Sequence, residues 1–115
     1  MTPDERAALR RHMEQELAAL RETIAILEGQ VDPVAPDAAV GHLSRLDTMQ
    51  SQAIAGVSLG NSRRRLLRLE SALRRVDDAD FGECENCGEP IPAARLLAMP
   101  ESTLCVRCAE QMQTG

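Results

Sequence analysis

Two Cys-x-x-Cys pairs, Cys84-Glu85-Asn86-Cys87 and Cys105-Val106-Arg107-Cys108, stand seventeen residues apart in a chain of 115 residues. Each pair makes a tight turn that aims two thiolates at one point. Two such turns supply the four tetrahedral ligands that zinc prefers. Gly88 directly follows the first pair, where a zinc knuckle wants a residue at positive φ. Four sulfurs leave no coordination position open, so the metal expected here is one structural zinc ion. Residues 81–115 need it. They hold few large apolar side chains (Phe81, Ile91, Leu96, Leu97, Met99, Leu104, Met112), too few to fold alone. The competing readings are a dithiol redox site and an iron–sulfur site. A redox pair usually sits at a helix N-terminus after a strand, and the sequence suggests neither feature.

The rest of the chain reads as helix. Leu9, Met13, Leu17, Leu20, Ile24, Leu27 and Val31 recur in steps of three and four, a narrow apolar seam on a helix over 4–31. Thr2-Pro3-Asp4-Glu5 is its start signal, with Thr at the N-cap, Pro at the first helical position and acids in the first turn. Such a helix spans roughly 40 Å and needs a partner. Gln30-Val31-Asp32-Pro33-Val34-Ala35-Pro36-Asp37 breaks it. A short helix follows from Asp37, interrupted at Gly41, and Ser44-Arg45-Leu46-Asp47 offers a second start resembling a capping box. The second long helix is expected over about 44–78, with a seam of Leu59, Ser62, Leu66, Leu69, Leu73 and Val76. Gly56 and Gly60 each cost about 1 kcal/mol against Ala and predict fraying or a kink in its first half. Two matching seams joined by one loop make an antiparallel coiled-coil hairpin.

The expected fold is therefore mostly α. A long antiparallel helical hairpin over 1–80, with its tip near 31–50, precedes a small four-cysteine zinc-finger module over 81–115 that ends in a short helix.

Charge and composition narrow the function. Thirteen basic residues, all Arg, face eighteen acidic ones for a net charge of −5, and Phe81 is the single aromatic residue. That field opposes nonspecific DNA binding, and there is no aromatic platform for stacking bases. Arg63, Arg64, Arg65, Arg68, Arg74 and Arg75 precede an acidic run of Asp77, Asp78, Asp80, Glu83, Glu85 and Glu89. The arginines are either a solvated helix face or a stripe that docks on an acidic or phosphate-bearing partner. His12 and His42 read as surface residues, and Met13, Met49, Met99 and Met112 as packing. No hydroxyl has a His or carboxylate partner at a recognisable spacing. Gly56 and Gly60 lack the strand and Lys of a phosphate loop. The expectation is a protein that is not an enzyme. With no signal peptide or membrane-spanning run in the sequence, the expected compartment is the cytoplasm.

The stretch Asp77-Asp78-Ala79-Asp80-Phe81-Gly82-Glu83-Cys84-Glu85-Asn86-Cys87-Gly88-Glu89-Pro90-Ile91-Pro92, followed by Arg95-Leu96, Pro100 and Leu104-Cys105-Val106-Arg107-Cys108, closely resembles the DksA/TraR zinc-finger family of bacterial proteins. The upstream hairpin matches the family architecture, so the resemblance reaches most of the chain. It implies a transcription regulator that binds bacterial RNA polymerase directly and does not read promoter DNA. The coiled coil would enter the secondary channel, with its tip near the catalytic centre, to modulate initiation.

The family tip carries Asp-x-x-Asp-x-Ala, whereas this chain has Ser44-Arg45-Leu46-Asp47-Thr48-Met49. A gapless count back from the cysteines puts Ser44 at the second Asp, while the local pattern favours Asp47. The resemblance thus implies a polymerase-binding tip of Ser44, Arg45, Asp47, Met49 and Gln50. Arg68 matches one base of the family's ppGpp site, and Arg68 and Arg95 are the candidate ppGpp or polymerase contacts. Met99 and Ala109 stand where the family has further bases, so strong ppGpp dependence is not expected. The seams are spent within the hairpin, which predicts a monomer. The alternative is a zinc-stapled hairpin adaptor with another protein partner.

Overall fold

The computed structural model describes residues 1–31 and 42–114. It has four helices among them: α1 (Pro3–Val31), α2 (His42–Arg75), α3 (Ala93–Ala98) and α4 (Val106–Thr114). The fold is mostly α, a helical hairpin of α1 and α2 with a small four-cysteine module after it. The segment 32–37 and the short helix expected after Asp37 lie outside the described residues.

The N-terminus of α1 forms as its sequence predicts. Glu5 N–H donates to Thr2 Oγ1 at 3.1 Å, and Thr2 N–H donates to Glu5 Oε2 at 3.1 Å. This reciprocal capping box satisfies two amides that the helix cannot pair internally.

The chain divides into two compact units, Ala18–Leu66 and Met1–Leu17 with Leu67–Gly115. In the first, Leu20, Ile24, Ala55 and Leu59 are buried, and Leu27 and Val31 are half-buried. Arg63 Nη2 meets Glu28 Oε1 at 3.2 Å on the exposed flank. An exposed pair of this kind contributes little beyond register. Gly56 and Gly60 do not interrupt α2, which is one 34-residue helix. Burial of Ala55 and Leu59 beside them offsets the propensity cost of the two glycines.

In the second unit Met13, Leu69 and Val76 are fully buried, with Leu9, Leu17 and Ala72 around them. Here α1 also closes the end of α2. Arg6 donates to the carbonyls of Val76 and, at 2.9 Å, of Asp78. Both carbonyls lie in the turn just past Arg75, and a guanidinium there suits the negative end of the helix dipole. Arg10 pairs with Asp77 next to it and holds that carboxyl below the usual range. His12, a surface residue by its sequence position, is half-buried instead. Its Nε2–H donates to Leu97 O at 2.6 Å, which ties α1 to α3.

The methionines divide against expectation. Met13 is core, but Met49, Met99 and Met112 are 64%, 45% and 59% exposed. Met49 follows the first turns of α2, Met99 directly follows α3 and Met112 is in the last turn of α4. Among the described residues no facing helix covers them.

Candidate metal centre

The first cysteine pair sits on a knuckle. Cys84 N–H donates to Glu89 O at 2.8 Å, Gly88 N–H turns back to Cys84 O at 2.9 Å, and Ile91 N–H reaches Gly82 O at 2.7 Å. An isolated bridge joins Glu83 and Pro90. Gly88 has φ +77°, the left-handed conformation that its place after the second Cys predicts. Gly82 has φ +93° and admits the turn before Cys84.

The second pair opens α4. Cys105 lies just before Val106, and Cys105 O accepts from Ala109 N–H at 2.9 Å. One contact links the turns of the two pairs, and a second ties α3 to the approach to Cys105. Glu85 N–H donates to Thr103 O at 2.9 Å, and Arg95 Nε–H donates to Leu104 O at 3.0 Å. Arg95, a candidate outward contact in the sequence, thus also braces the approach to Cys105.

These turns place the sulfurs of Cys84, Cys87, Cys105 and Cys108 within 4.8 Å of one another, with Cys87 and Cys105 Sγ 3.8 Å apart. A tetrahedron with zinc–sulfur bonds of ~2.3 Å has sulfur–sulfur edges of about 3.8 Å. The cage therefore fits one zinc ion with four thiolate ligands. A closed site of that kind is structural, since no position is left for a substrate or water. A cysteine pair at a helix N-terminus, absent from the sequence expectation, is present at α4. The convergence of all four sulfurs is what selects zinc over a lone redox pair.

The sulfurs differ electrostatically. Backbone amides of Cys105 and Cys87 donate to Cys84 and outweigh its burial, which lowers its thiol to about 6. At Cys108 the Asn86 amide favours the thiolate, but hydrogen bonds with Cys105 and burial prevail and push it up to about 11. Four thiolates packed this closely cannot all be charged without a cation among them. The contact of Asn86 Nδ2 with Cys108 Sγ, at 3.4 Å, has no counterpart in the sequence reading.

The other candidate residues lie apart from the cage. Asp47, Met49 and Gln50 are exposed on α2, as is Arg68 further along it. The backbone of Ser44 and Arg45 lies in α2, and their side chains are outside the described residues. Since α2 starts at His42, Ser44 is not its cap and Asp47 lies beyond the first turn.

The prokaryotic DksA/TraR C4-type zinc finger matches residues 79–113. The RNA polymerase-binding transcription factor DksA of Caulobacter vibrioides is 32% identical over 101 residues, which are 85% of this chain and 66% of that protein. The chain belongs to the DksA/TraR C4-type zinc-finger family. The DksA of Escherichia coli is 44% identical over 46 residues, 40% of this chain and 30% of its own length. The chain thus spans about two thirds of the first relative and a smaller part of the second. The structure of transcription factor DksA2 from Pseudomonas aeruginosa superposes with a TM-score of 0.79 at 22% identity, covering 99% of this chain and 87% of that one. This likeness confirms the hairpin-plus-module fold. The relatives are named as transcription factors, not as enzymes. Among the described residues no helix is long and apolar enough to cross a membrane.

Proposed function

We propose that this DksA/TraR protein regulates transcription by binding bacterial RNA polymerase, acting in the cytoplasm as a monomer with no enzymatic activity of its own. The observation that carries this reading is the match to the Caulobacter DksA. Its 101 residues far exceed the finger, so the hairpin is part of the likeness. In this reading the hairpin is the arm that enters the secondary channel, and zinc fixes the module at its base. Ser44, Arg45, Asp47, Met49 and Gln50 form the tip. The exposure of Asp47, Met49 and Gln50 supports them as contacts. Arg68, exposed on α2, and Arg95 contribute polymerase or ppGpp contacts nearer the finger. Arg95 Nε already serves Leu104 O, so an outward contact uses its terminal nitrogens. A net charge of −5 sets DNA reading aside.

Placing a photo-reactive residue at position 49 tests the arrangement. With core polymerase, irradiation is expected to cross-link that position to the channel lining. A cross-link confined to the outer polymerase surface, or none from zinc-loaded protein, overturns the tip assignment. The adaptor reading is favoured by one feature. Residues 48–62 carry no charge, and Ile54 and Val57 within them are 68% and 66% exposed, a surface that another apolar partner could use. Loss of all polymerase contact would transfer the hairpin to that role.

A further inference from the structure

The four metal-binding sulfurs fall into two unlike pairs. Cys84 and Cys108 are 3% and 2% exposed, whereas Cys87 is exposed and Cys105 half-buried. The Cys108 sulfur receives the Asn86 side-chain amide at 3.4 Å. Cys87 and Cys105, 3.8 Å apart, border a shallow cleft of about 550 Å³ lined also by Glu89, Pro90, Pro92, Val106 and Arg107. Asn86 thus joins the two halves of the cage, its backbone inside the first cysteine pair and its side-chain amide on a sulfur of the second.

Four thiolates around one divalent ion carry excess negative charge. N–H donors spread that charge and hold their ligands in orientation, so the sulfurs that receive them are the firmly held ones. Burial keeps an incoming ligand from reaching Cys84 and Cys108. Cys87 and Cys105, on a cleft, lack that protection.

We propose that zinc enters and leaves this finger through the Cys87–Cys105 edge, and that Asn86 is the positioning residue that keeps Cys108 bound until last. An incoming nitrogen, oxygen or sulfur donor bonds to zinc from the cleft as the zinc–Cys87 bond breaks. Zinc remains divalent, and the freed thiolate takes a proton from solvent. Cys105 follows on the same edge. This ordering concerns the finger itself and stands whether or not the hairpin binds polymerase.

The test uses the zinc-loaded full chain. Limiting N-ethylmaleimide with peptide mass spectrometry gives the order in which sulfurs become free, and 4-(2-pyridylazo)resorcinol reports zinc transfer by absorbance. Cys87 is expected to label first and Cys105 next, with Cys84 and Cys108 last. Asn86→Ala should speed zinc transfer about 10-fold and bring Cys108 labelling forward. Asn86→Asp keeps the size but replaces the amide donor with a carboxylate, so it should speed transfer at least as much. Early labelling of Cys84 or Cys108 in the unaltered protein overturns the exchange route and needs no variant. Wild-type transfer rates in Asn86→Asp overturn the role of Asn86.

Discussion

Cys105→Ser is expected to unfold residues 81–115 while most of the helical signal survives. The finger has little else to hold it. Apart from its cysteines, the buried residues after the hairpin are Ile91, Leu96, Pro100 and Glu101. Its helices have 6 and 9 residues, too short to persist unsupported. Structural zinc in small fingers supplies about 10–16 kcal/mol of apparent binding free energy, more than a module of this size gains by packing. Three thiolates and a hydroxyl bind zinc far more weakly, and Cys105 also turns the chain into α4. The hairpin has a core of its own in Leu20, Ile24, Ala55 and Leu59, in the unit that does not include the finger, and α1 and α2 contribute 29 and 34 residues to the helix content. In heteronuclear NMR the amides of 81–115 should collapse to random-coil shifts, while far-UV dichroism keeps most of its amplitude. A dispersed finger spectrum in Cys105→Ser, with zinc removed, would show that the metal does not hold the module.

Asp47→Asn is expected to separate function from stability. Asp47 is exposed and beyond the first turn of α2, so it neither caps the helix nor packs. Asn has nearly the same size and helix propensity, and the unfolding free energy should change by about 0.5 kcal/mol or less. If Asp47 is the tip carboxylate, its negative charge acts close to the polymerase magnesium and basic residues, where the surrounding charges are large. Removing it should reduce the effect on promoter-complex lifetime at least about 10-fold, with polymerase still bound. Binding at wild-type affinity with undiminished regulation would move the active tip away from Asp47. Ser44→Ala then becomes the variant to compare, because the gapless register puts Ser44 there.

Much of this architecture is legible along the chain because it is local. The seam of α1 shows itself through spacing alone, and its Leu9, Met13, Leu17, Leu20 and Ile24 are all buried. The capping box at Thr2 and Glu5 and the positive φ of Gly88 are likewise set by neighbours a few residues away. The four cysteines are readable because metal geometry imposes a spacing on sequence.

What stays hidden depends on distant partners. Arg6 reaches carbonyls 70 and 72 residues away, and His12 one that is 85 residues away; no periodicity reports such pairs. Spacing places the start of α2 later than His42 because Ser44 and Asp47 imitate a cap that the helix does not use. Propensity overstates the effect of Gly56 and Gly60, since a helix held by packing tolerates both. Asn86 carries no signal except its place inside the first cysteine pair. The position is a turn in any knuckle, and only the folded cage shows its amide on Cys108.

The central claim is that this family member acts on the polymerase through its secondary channel. Equilibrium binding of the zinc-loaded protein to purified bacterial core RNA polymerase, with an established secondary-channel protein as competitor, tests it most directly. Saturable binding that the competitor displaces, and that Asp47→Asn leaves intact, is the predicted result. Absence of binding from protein shown to hold one zinc, or binding that the competitor leaves untouched, would contradict it.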